Sequence, residues 1–477
     1  MQMINNGAKV NASDKSFIEV LNPFNGKVVN TVPNATAKDV DKAVRAAKKA
    51  QPKWAAVPVW QKVEYLKEFL NLVDKNKNAL AKTLCLETGK PLKQAKAEIA
   101  NIRIGFEAFM EKAKHLYGNV IPYGTEAGQE NTLQFTQREP LGVVAAIIPF
   151  NFPCDLFDQK VAPALLAGNS VIVKPPHQNP STLVMLTDLL CQTGITKGAI
   201  QIVTGRGSVC GAALSQHPLV DKITFTGSTE VGIITAKYAA EKLAHTSLEL
   251  GGNDAFIVCD DADIDLAVEE TVWGRMYNTG QVCCASKRFL VQKGVHKEFV
   301  KKLTARLKKL KQGDPMTDVD LGTLISTEDA IHVEQQIKDV VAQGGKIVLG
   351  GKRNGAFIPA TIIDNVPTTA DVASDEEIFG PVVPIIEFAT IEEAIEIANN
   401  SKFGLCGCIF TKDSSKALKV ANALECGGVV INGASFHRSF DMPFGGYKFS
   451  GIGGEGVMST IDEMTRTKTI TLKNILK

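Results

Sequence analysis

The chain is expected to fold as an α/β protein of two doubly wound, parallel-sheet lobes with a small β flap. Three observations lead there. From residue 141 onward, short β-rich apolar runs alternate with helical windows, the pattern of a parallel sheet with right-handed crossovers. The alternation falls into two series that meet near residue 249, and 477 residues are too many for one small core. Residues 118–139 interrupt it with turn-rich, strand-like sequence: Gly118, Pro122, Gly124 and Gly128, then Thr132-Leu133-Gln134-Phe135-Thr136. That stretch reads as a hairpin protruding between globular parts.

Residues 17–32 alternate like a strand and break at Asn22-Pro23-Phe24-Asn25-Gly26, the chemistry of a hairpin turn. Thr36-Ala37-Lys38-Asp39 resembles a capping box, and Val40, Ala43, Val44 and Ala47 keep helical spacing behind it. Helical periodicity continues over 59–117, with a break at Thr88-Gly89-Lys90-Pro91. The first α/β series has strands at 142–148, 170–173, 199–203 and 222–226, with helices near 155–167, 180–193 and 207–216 between them. The second has strands at 255–258, 289–291, 346–349, 382–387, 408–410 and 428–431. Loops of Pro, Gly and Asn follow the strands, where open α/β sheets bind ligands.

Charge excludes some partners. Lys and Arg total 53 against 51 Asp and Glu, a net +2, so nothing global attracts nucleic acid or an anionic membrane. The lysine-rich stretch 297–311 carries Phe299, Val300, Leu303, Leu307 and Leu310 on one face and reads as a solvated amphipathic helix. The ten cysteines are scattered through apolar segments without a paired CxxC array, so no metal site is expected and the cytoplasm is the expected compartment. Residues 1–6 lack a basic and apolar leader, and the apolar run 143–148 is far shorter than the roughly 20 residues of a membrane helix.

Chemistry concentrates around Gly274-Arg275-Met276-Tyr277-Asn278-Thr279-Gly280-Gln281-Val282-Cys283-Cys284-Ala285, which places two thiols past a Gly-Gln break at the end of a helix. Upstream, Leu248-Glu249-Leu250-Gly251-Gly252 holds a lone carboxylate in an apolar, glycine-terminated segment. A thiol nucleophile and an acid–base carboxylate are the minimum equipment for covalent chemistry at a carbonyl carbon. These residues alone do not choose between the thiols.

Four strand-end loops surround that pair. Thr226-Gly227-Ser228-Thr229-Glu230 leaves a strand and enters a helix, as either a pyrophosphate cradle or an ordinary N-cap. Thr204-Gly205-Arg206-Gly207-Ser208 meets its third glycine one residue late for a GxGxxG fingerprint and is as good a simple turn. Lys174, after Val171-Ile172-Val173, either reaches solvent or stands beside an adenosine ribose or 2′-phosphate. Asn151, in Pro149-Phe150-Asn151-Phe152-Pro153, either satisfies loop backbone or serves as an oxyanion donor.

Taken together, the chain resembles the NAD(P)-dependent aldehyde dehydrogenase superfamily. The resemblance rests on Pro149-Phe150-Asn151-Phe152-Pro153, Lys174-Pro175-Pro176, Phe225-Thr226-Gly227-Ser228, Leu248-Glu249-Leu250-Gly251-Gly252, Asn278-Thr279-Gly280-Gln281-Val282-Cys283, Glu377-Ile378-Phe379-Gly380-Pro381 and Pro443-Phe444-Gly445-Gly446-Tyr447-Lys448. It implies a dinucleotide-binding domain of 1–117 and 140–248 and a catalytic domain of 249–441. An oligomerisation hairpin of 118–139 then joins a C-terminal segment of 442–477. It also implies that Cys283 attacks the aldehyde, that Asn151 and the Cys283 N–H hold the oxyanion, and that Glu249 activates water to hydrolyse a thioester. For the NAD or NADP cofactor it implies Lys174 at the adenosine ribose, Ser228 by the pyrophosphate, Glu377 on the nicotinamide ribose with Phe379 packed nearby, and Phe150, Pro176 and Gly227 as further contacts. Cys284 is expected to be a neighbour without a chemical role.

The motifs look closest to the lactaldehyde and non-phosphorylating glyceraldehyde-3-phosphate dehydrogenase branches. Glu249 favours hydrolysis to a free acid over CoA acylation. Val282 stands where enzymes of phosphorylated aldehydes place an arginine, which weighs against that substrate. His437 and Arg438 lie in the loop that lines the substrate mouth in this family, so a small hydroxylated or anionic aldehyde, such as lactaldehyde or succinate semialdehyde, is expected. His177 stands where NAD-preferring members carry a glutamate that repels a 2′-phosphate, so NADP is expected to be at least tolerated. A homodimer or homotetramer is implied, with the 118–139 hairpin and strand 467–472 as contact elements whose edges are otherwise exposed. A non-catalytic binding or structural protein on the same fold is the reading from another class.

Overall fold

The computed structural model describes residues 1–474; the last three residues of the expected 442–477 segment lie outside the described residues. Two large sheets organise the chain. In the first, five parallel strands lie in the order Ile200–Ile202, Ser170–Lys174, Val143–Ile147, Lys222–Thr226, His245–Glu249. Val143, Val144, Ala145 and Ala146 are wholly buried, as a strand covered by helices on both faces must be. Successive strands step outward from Val143–Ile147 on one side and from Lys222–Thr226 on the other. The crevice between those two therefore opens at the carboxyl ends of the strands, at the point where the winding reverses.

Both edges of this sheet hold antiparallel additions. The short strands Met3–Asn5 and Ala8–Val10 pair beside Ile200–Ile202, an addition absent from the expected series because three-residue strands carry too little alternation. Gly451–Ile452 pairs with Leu248 and Glu249 at the other edge.

The second sheet runs parallel in the order Thr361–Asp364, Val382–Phe388, Ser286–Gln292, Asp254–Val258, Cys406–Phe410, Gly428–Ile431. The expected strand at 346–349 is an antiparallel edge, largely exposed. Thr361–Asp364 was not legible, since its single Ile-Ile pair is too short to stand out. His245–Glu249 ends the first sheet and Asp254–Val258 begins the second, so Glu249-Leu250-Gly251-Gly252-Asn253 is the crossing between lobes.

The helices follow local chemistry. Ala37–Ala55 opens on the expected box, with the Asp39 carboxylate accepting from the Thr36 N–H at 3.0 Å and hydroxyl at 2.9 Å. The long helical region divides into Val59–Thr88 and Leu92–Ala113 because Gly89 takes φ 75°, a left-handed stop that glycine adopts without penalty. His296–Leu307 buries Phe299, Leu303 and Leu307, as its sequence anticipates.

The flap differs from expectation. Thr132–Pro140 pairs with Val120–Ile121, and along its other edge with Thr465–Lys473, from Thr465↔Pro140 to Lys473↔Thr132. The hairpin and the C-terminal strand thus cover each other within one chain, and the long outer edge left open is that of Thr465–Lys473, opposite the short edge of Val120–Ile121. Both are long alternating runs, and pairing the two satisfies more backbone than either satisfies alone.

Gly89 is the sharpest local requirement: a Cβ there would lie 1.9 Å from Thr323 Oγ1 and 2.9 Å from Pro23 Cγ. Gly89→Ala is expected to cost about 1–3 kcal/mol through strain and displacement of the 323 loop. Denaturant unfolding would read that loss; an unchanged midpoint would contradict it.

Candidate active site

The loop that carries Cys283 is built on strained backbone. Helix Ile264–Thr271 widens into a π-type turn over Val272–Met276. Asn278, Thr279 and Gly280 then take φ of 48°, 55° and 77°, so the helix stops well before the thiols and Cys283 sits in a turn. A β-branched residue in the left-handed region costs about 1–3 kcal/mol unless its surroundings impose it. Here they do. Asn278 N–H donates to Gln94 Oε1 at 2.9 Å, and Thr279 Oγ1 accepts from Gly322 N–H at 3.2 Å. Gln281 donates to the Asn278 carbonyl at 3.0 Å and accepts from Ile325 N–H at 2.9 Å. A Cβ on Gly280 would meet the Gly380 carbonyl at 2.2 Å, so this turn also abuts the Glu377–Pro381 loop.

The same turn grips the Asn151 loop. Asn278 Nδ2 donates to the Asn151 carbonyl at 3.0 Å, and Lys90 Nζ donates to the same oxygen at 2.8 Å. Lys90 is fully buried, ion-paired with Glu98, and 4.1 Å from the centroid of the Phe152 ring. Glu98 also accepts from Cys154 N–H at 2.8 Å. Asn151 itself is buried, and among the described residues its side-chain amide makes no hydrogen bond. Two grips on its carbonyl leave that amide free for a ligand.

Cys283 is half-buried and Cys284 buried. The side chain of Cys284 and then burial push the Cys283 thiol well above the usual thiol range, against the pull of Lys287 and Arg438. The resting sulfur therefore keeps its proton near neutral pH. Cys284, expected to be chemically idle, bears on the site through that contact. Glu249 is buried at its strand end, with neither carboxylate oxygen hydrogen-bonded among the described residues. Burial and then Glu455 push it well above the usual carboxylate range. Glu455 ion-pairs with Lys160 at 2.9 Å and faces the Arg438 guanidinium at 3.7 Å. Burial works to raise Glu455, but these two cations outweigh it and hold it below the usual range.

Lys160 and Glu455 did not stand out in the sequence. The available signals were a lysine inside the apolar helix Pro153–Leu166 and a single acid in a glycine run. Of the two mouth residues, Arg438 lies 4.1 Å over the Phe444 ring. His437 is exposed, and among the described residues its ring has no hydrogen-bond partner. Phe152, Tyr277, Trp273 and Phe436 form one aromatic cluster with centroids 5.0–6.0 Å apart. Cys283 packs against the core that contains Phe152.

The crevice beside these groups suits a dinucleotide. Lys174 is buried at its strand end, lowered to about 8 by that burial, and its ammonium has no hydrogen-bond partner among the described residues. Pro176 is buried beside it. A Cβ on Gly227 would lie 2.6 Å from the Phe225 ring, so only glycine fits there, and Ser228 caps helix Thr229–Ala240 by accepting from Val231 N–H at 3.4 Å. Phe150 meets Phe379 edge-on at 5.9 Å, joining the two lobes. Glu377 accepts from Gly252 N–H at 3.2 Å and pairs with Lys287 at 2.9 Å. An unpartnered buried cation, a helix start preceded by Gly227 and capped by Ser228, and the Glu377 carboxylate fit a pyrophosphate flanked by riboses. Arg206, outside the expected set, contributes with burial and Lys174 to hold His177 below its usual range.

The chain matches the aldehyde dehydrogenase family over residues 9–470 and belongs to it. It is similar to the glutarate-semialdehyde dehydrogenase of Pseudomonas aeruginosa, 38% identical over 98% of this chain and 97% of that one. It is equally similar to the lactaldehyde dehydrogenase of Methanococcus aeolicus, 38% identical over 98% and 99%. Among solved structures, an NADP-dependent enzyme of E. coli superimposes with TM-score 0.96 at 37% identity, covering 99% of this chain and 98% of the other. Betaine aldehyde dehydrogenase of Staphylococcus aureus in complex with NAD+ does so with TM-score 0.95 at 35% identity, covering 99% and 95%. The chain is an oxidoreductase acting on aldehydes with NAD or NADP.

If the free Asn151 amide is the oxyanion donor, Asn151→Ala is expected to lower kcat about 100–1000-fold. KM and folding should change little. Steady-state kinetics with any turned-over aldehyde would read this; a loss confined to KM would contradict it.

Proposed function

We propose that the chain oxidises a small hydroxylated or anionic aldehyde to its carboxylic acid, through a thioester on Cys283 that Glu249 helps to hydrolyse. The observation that carries this reading is Glu249: a buried carboxylate with both oxygens unpartnered, electrostatically linked to Cys283, at the crossing between the lobes. Cys283 gives up its proton to solvent water as it adds to the aldehyde carbon, and the resulting oxyanion accepts hydrogen bonds from the free Asn151 amide and the Cys283 N–H. Bound NAD or NADP supplies the hydride acceptor. The thioester left on sulfur is opened by water, whose proton Glu249 takes up. A carboxyl raised above the usual carboxylate range is a stronger base once ionised than an ordinary glutamate.

Arg438 supports an anionic or hydroxylated substrate: burial opposes its charge, but Glu455 at 3.7 Å outweighs burial and keeps the guanidinium charged at the mouth of the site. Val282 is buried and apolar, which disfavours a phosphorylated aldehyde. Lys174, His177 and Arg206 present no carboxylate that would repel a 2′-phosphate, so NADP is accepted beside NAD. The lobes divide as a dinucleotide-binding part (1–117, 140–248), a catalytic part (249–441) and an oligomerising part (118–139, 442–477). Exposed Val231, Ile233 and Ile234 on helix Thr229–Ala240 and the open edge of Thr465–Lys473 support a homodimer or homotetramer, which sedimentation of a monomer at micromolar concentration would overturn. All ten cysteines are free, in keeping with the cytoplasm.

One set of steady-state measurements tests substrate and cofactor together. Arg438→Ala is expected to raise KM for succinate semialdehyde about tenfold, some 1.4 kcal/mol, and to leave acetaldehyde nearly unchanged. An equal effect on both would remove the anion-binding role. An NADP efficiency more than about a thousandfold below that of NAD, roughly 4 kcal/mol, would remove the NADP reading.

A further inference from the structure

Lys287, near the start of strand Ser286–Gln292, is a buried cation held between the two halves of the site. Its ammonium donates to the backbone carbonyl of Cys283 and pairs with Glu377 Oε1 at 2.9 Å, and it stands 5.9 Å from the centroid of Phe379. The crossing segment packs tightly around this contact. A Cβ on Gly251 would lie 2.4 Å from Glu377 Oε2, and one on Gly252 would lie 3.0 Å from the Cys283 carbonyl. Gly252 N–H also donates to Glu377 Oε1. One side chain therefore holds both the nucleophile's backbone and the carboxylate proposed for the nicotinamide ribose.

We propose that Lys287 is a positioning residue that couples cofactor binding at Glu377 to the acidity of Cys283. The inference rests on the proposed roles of Cys283 and Glu377. A nearby cation favours the thiolate, and Glu377 neutralises part of that cation's field while the crevice is empty. Ribose hydroxyls that donate to Glu377 draw on the same oxygens Lys287 holds. The ammonium is then less compensated, and more of its field falls on the sulfur. The other titratable or charged groups facing Cys283 are Cys284 beside it, Glu249 from His245–Glu249, Cys406 from Cys406–Phe410 and Arg438 from the 432–446 loop. Of these, only Arg438 shares the sign of Lys287, and it pairs with Glu455 rather than Glu377. The link to the cofactor thus runs through Lys287.

The test is iodoacetamide alkylation of Cys283, located by peptide mass, as a function of pH in the full-length protein with and without saturating NAD. NAD affinity is measured alongside by calorimetry. In the parent protein NAD should move the alkylation midpoint to lower pH. Lys287→Met should raise the midpoint of the free protein and abolish most of the NAD-dependent shift, and Lys287→Arg should restore part of each. Glu377→Gln keeps the side chain's shape but removes the charge that compensates Lys287, so its cofactor-free midpoint should fall. A Lys287→Met protein with the parental NAD-dependent shift, or a Glu377→Gln protein with an unmoved midpoint, overturns the proposal. Undiminished turnover in Cys283→Ser, or unchanged NAD affinity in Glu377→Gln, would instead remove the underlying reading of the site.

Discussion

The backbone carbonyl of Asn151 is the point on which the site turns. Lys90 reaches it from the break between two long helices, and Asn278 reaches it from the nucleophile's own turn. An ammonium and an amide on one oxygen tie three segments that are remote in sequence. They also fix where the Asn151 side chain stands relative to Cys283. The left-handed run Asn278-Thr279-Gly280 makes this possible, because an ordinary helical exit would carry the amide away. Its strain is held by Gln94, Gln281 and Gly322, groups drawn from both lobes. Positioning of this kind converts binding energy into rate, since an oxyanion donor acts only where the charge develops.

The buried charges share a pattern. Lys90–Glu98 and Lys160–Glu455 are pairs, each with a further polar contact, whereas the side chains of Glu249, Asp158 and Lys174 have no hydrogen-bond partner among the described residues. A buried pair contributes little net stability, and an unpaired buried charge destabilises. On the proposed reading, a substrate or water completes Glu249 and the cofactor completes Lys174. Burial raises the carboxyl and lowers the ammonium, so each waits in a form its ligand can alter.

The sequence made much of this legible, and the losses have physical causes. Strand-end loops such as Pro149-Phe150-Asn151-Phe152-Pro153 and Thr226-Gly227-Ser228 were readable because ligand sites of parallel sheets recur at that address. Glu249 stood out because a lone acid in an apolar run has few structural reasons to exist, and it is indeed buried with both oxygens unpartnered among the described residues. Lys160, Glu455 and Lys287 were not, because each resembles an ordinary charged residue until its partner arrives from a distant segment. The helix exit at Cys283 was misread for a related reason. Left-handed Asn and Thr carry no periodic signature, and only the hydrogen bonds from Gln94 and Gly322 impose them. The mutual cover of Thr132–Pro140 and Thr465–Lys473 likewise depends on a pairing across more than three hundred residues of chain.

The most direct test of the two-step chemistry is a single mixing experiment on Glu249→Gln. The protein is mixed with NAD and a turned-over aldehyde, reduced nicotinamide is followed, and the quenched protein is mapped by mass. A burst stoichiometric with the protein should be followed by a stall, with the acyl adduct on Cys283. In the parent protein, release of that adduct should quicken as pH rises. Its raised carboxyl is protonated at pH values where an ordinary glutamate is already ionised, so the base form fills only as protons are withdrawn. Continuous turnover of Glu249→Gln at the parental rate, or an adduct on Cys284, would contradict the account.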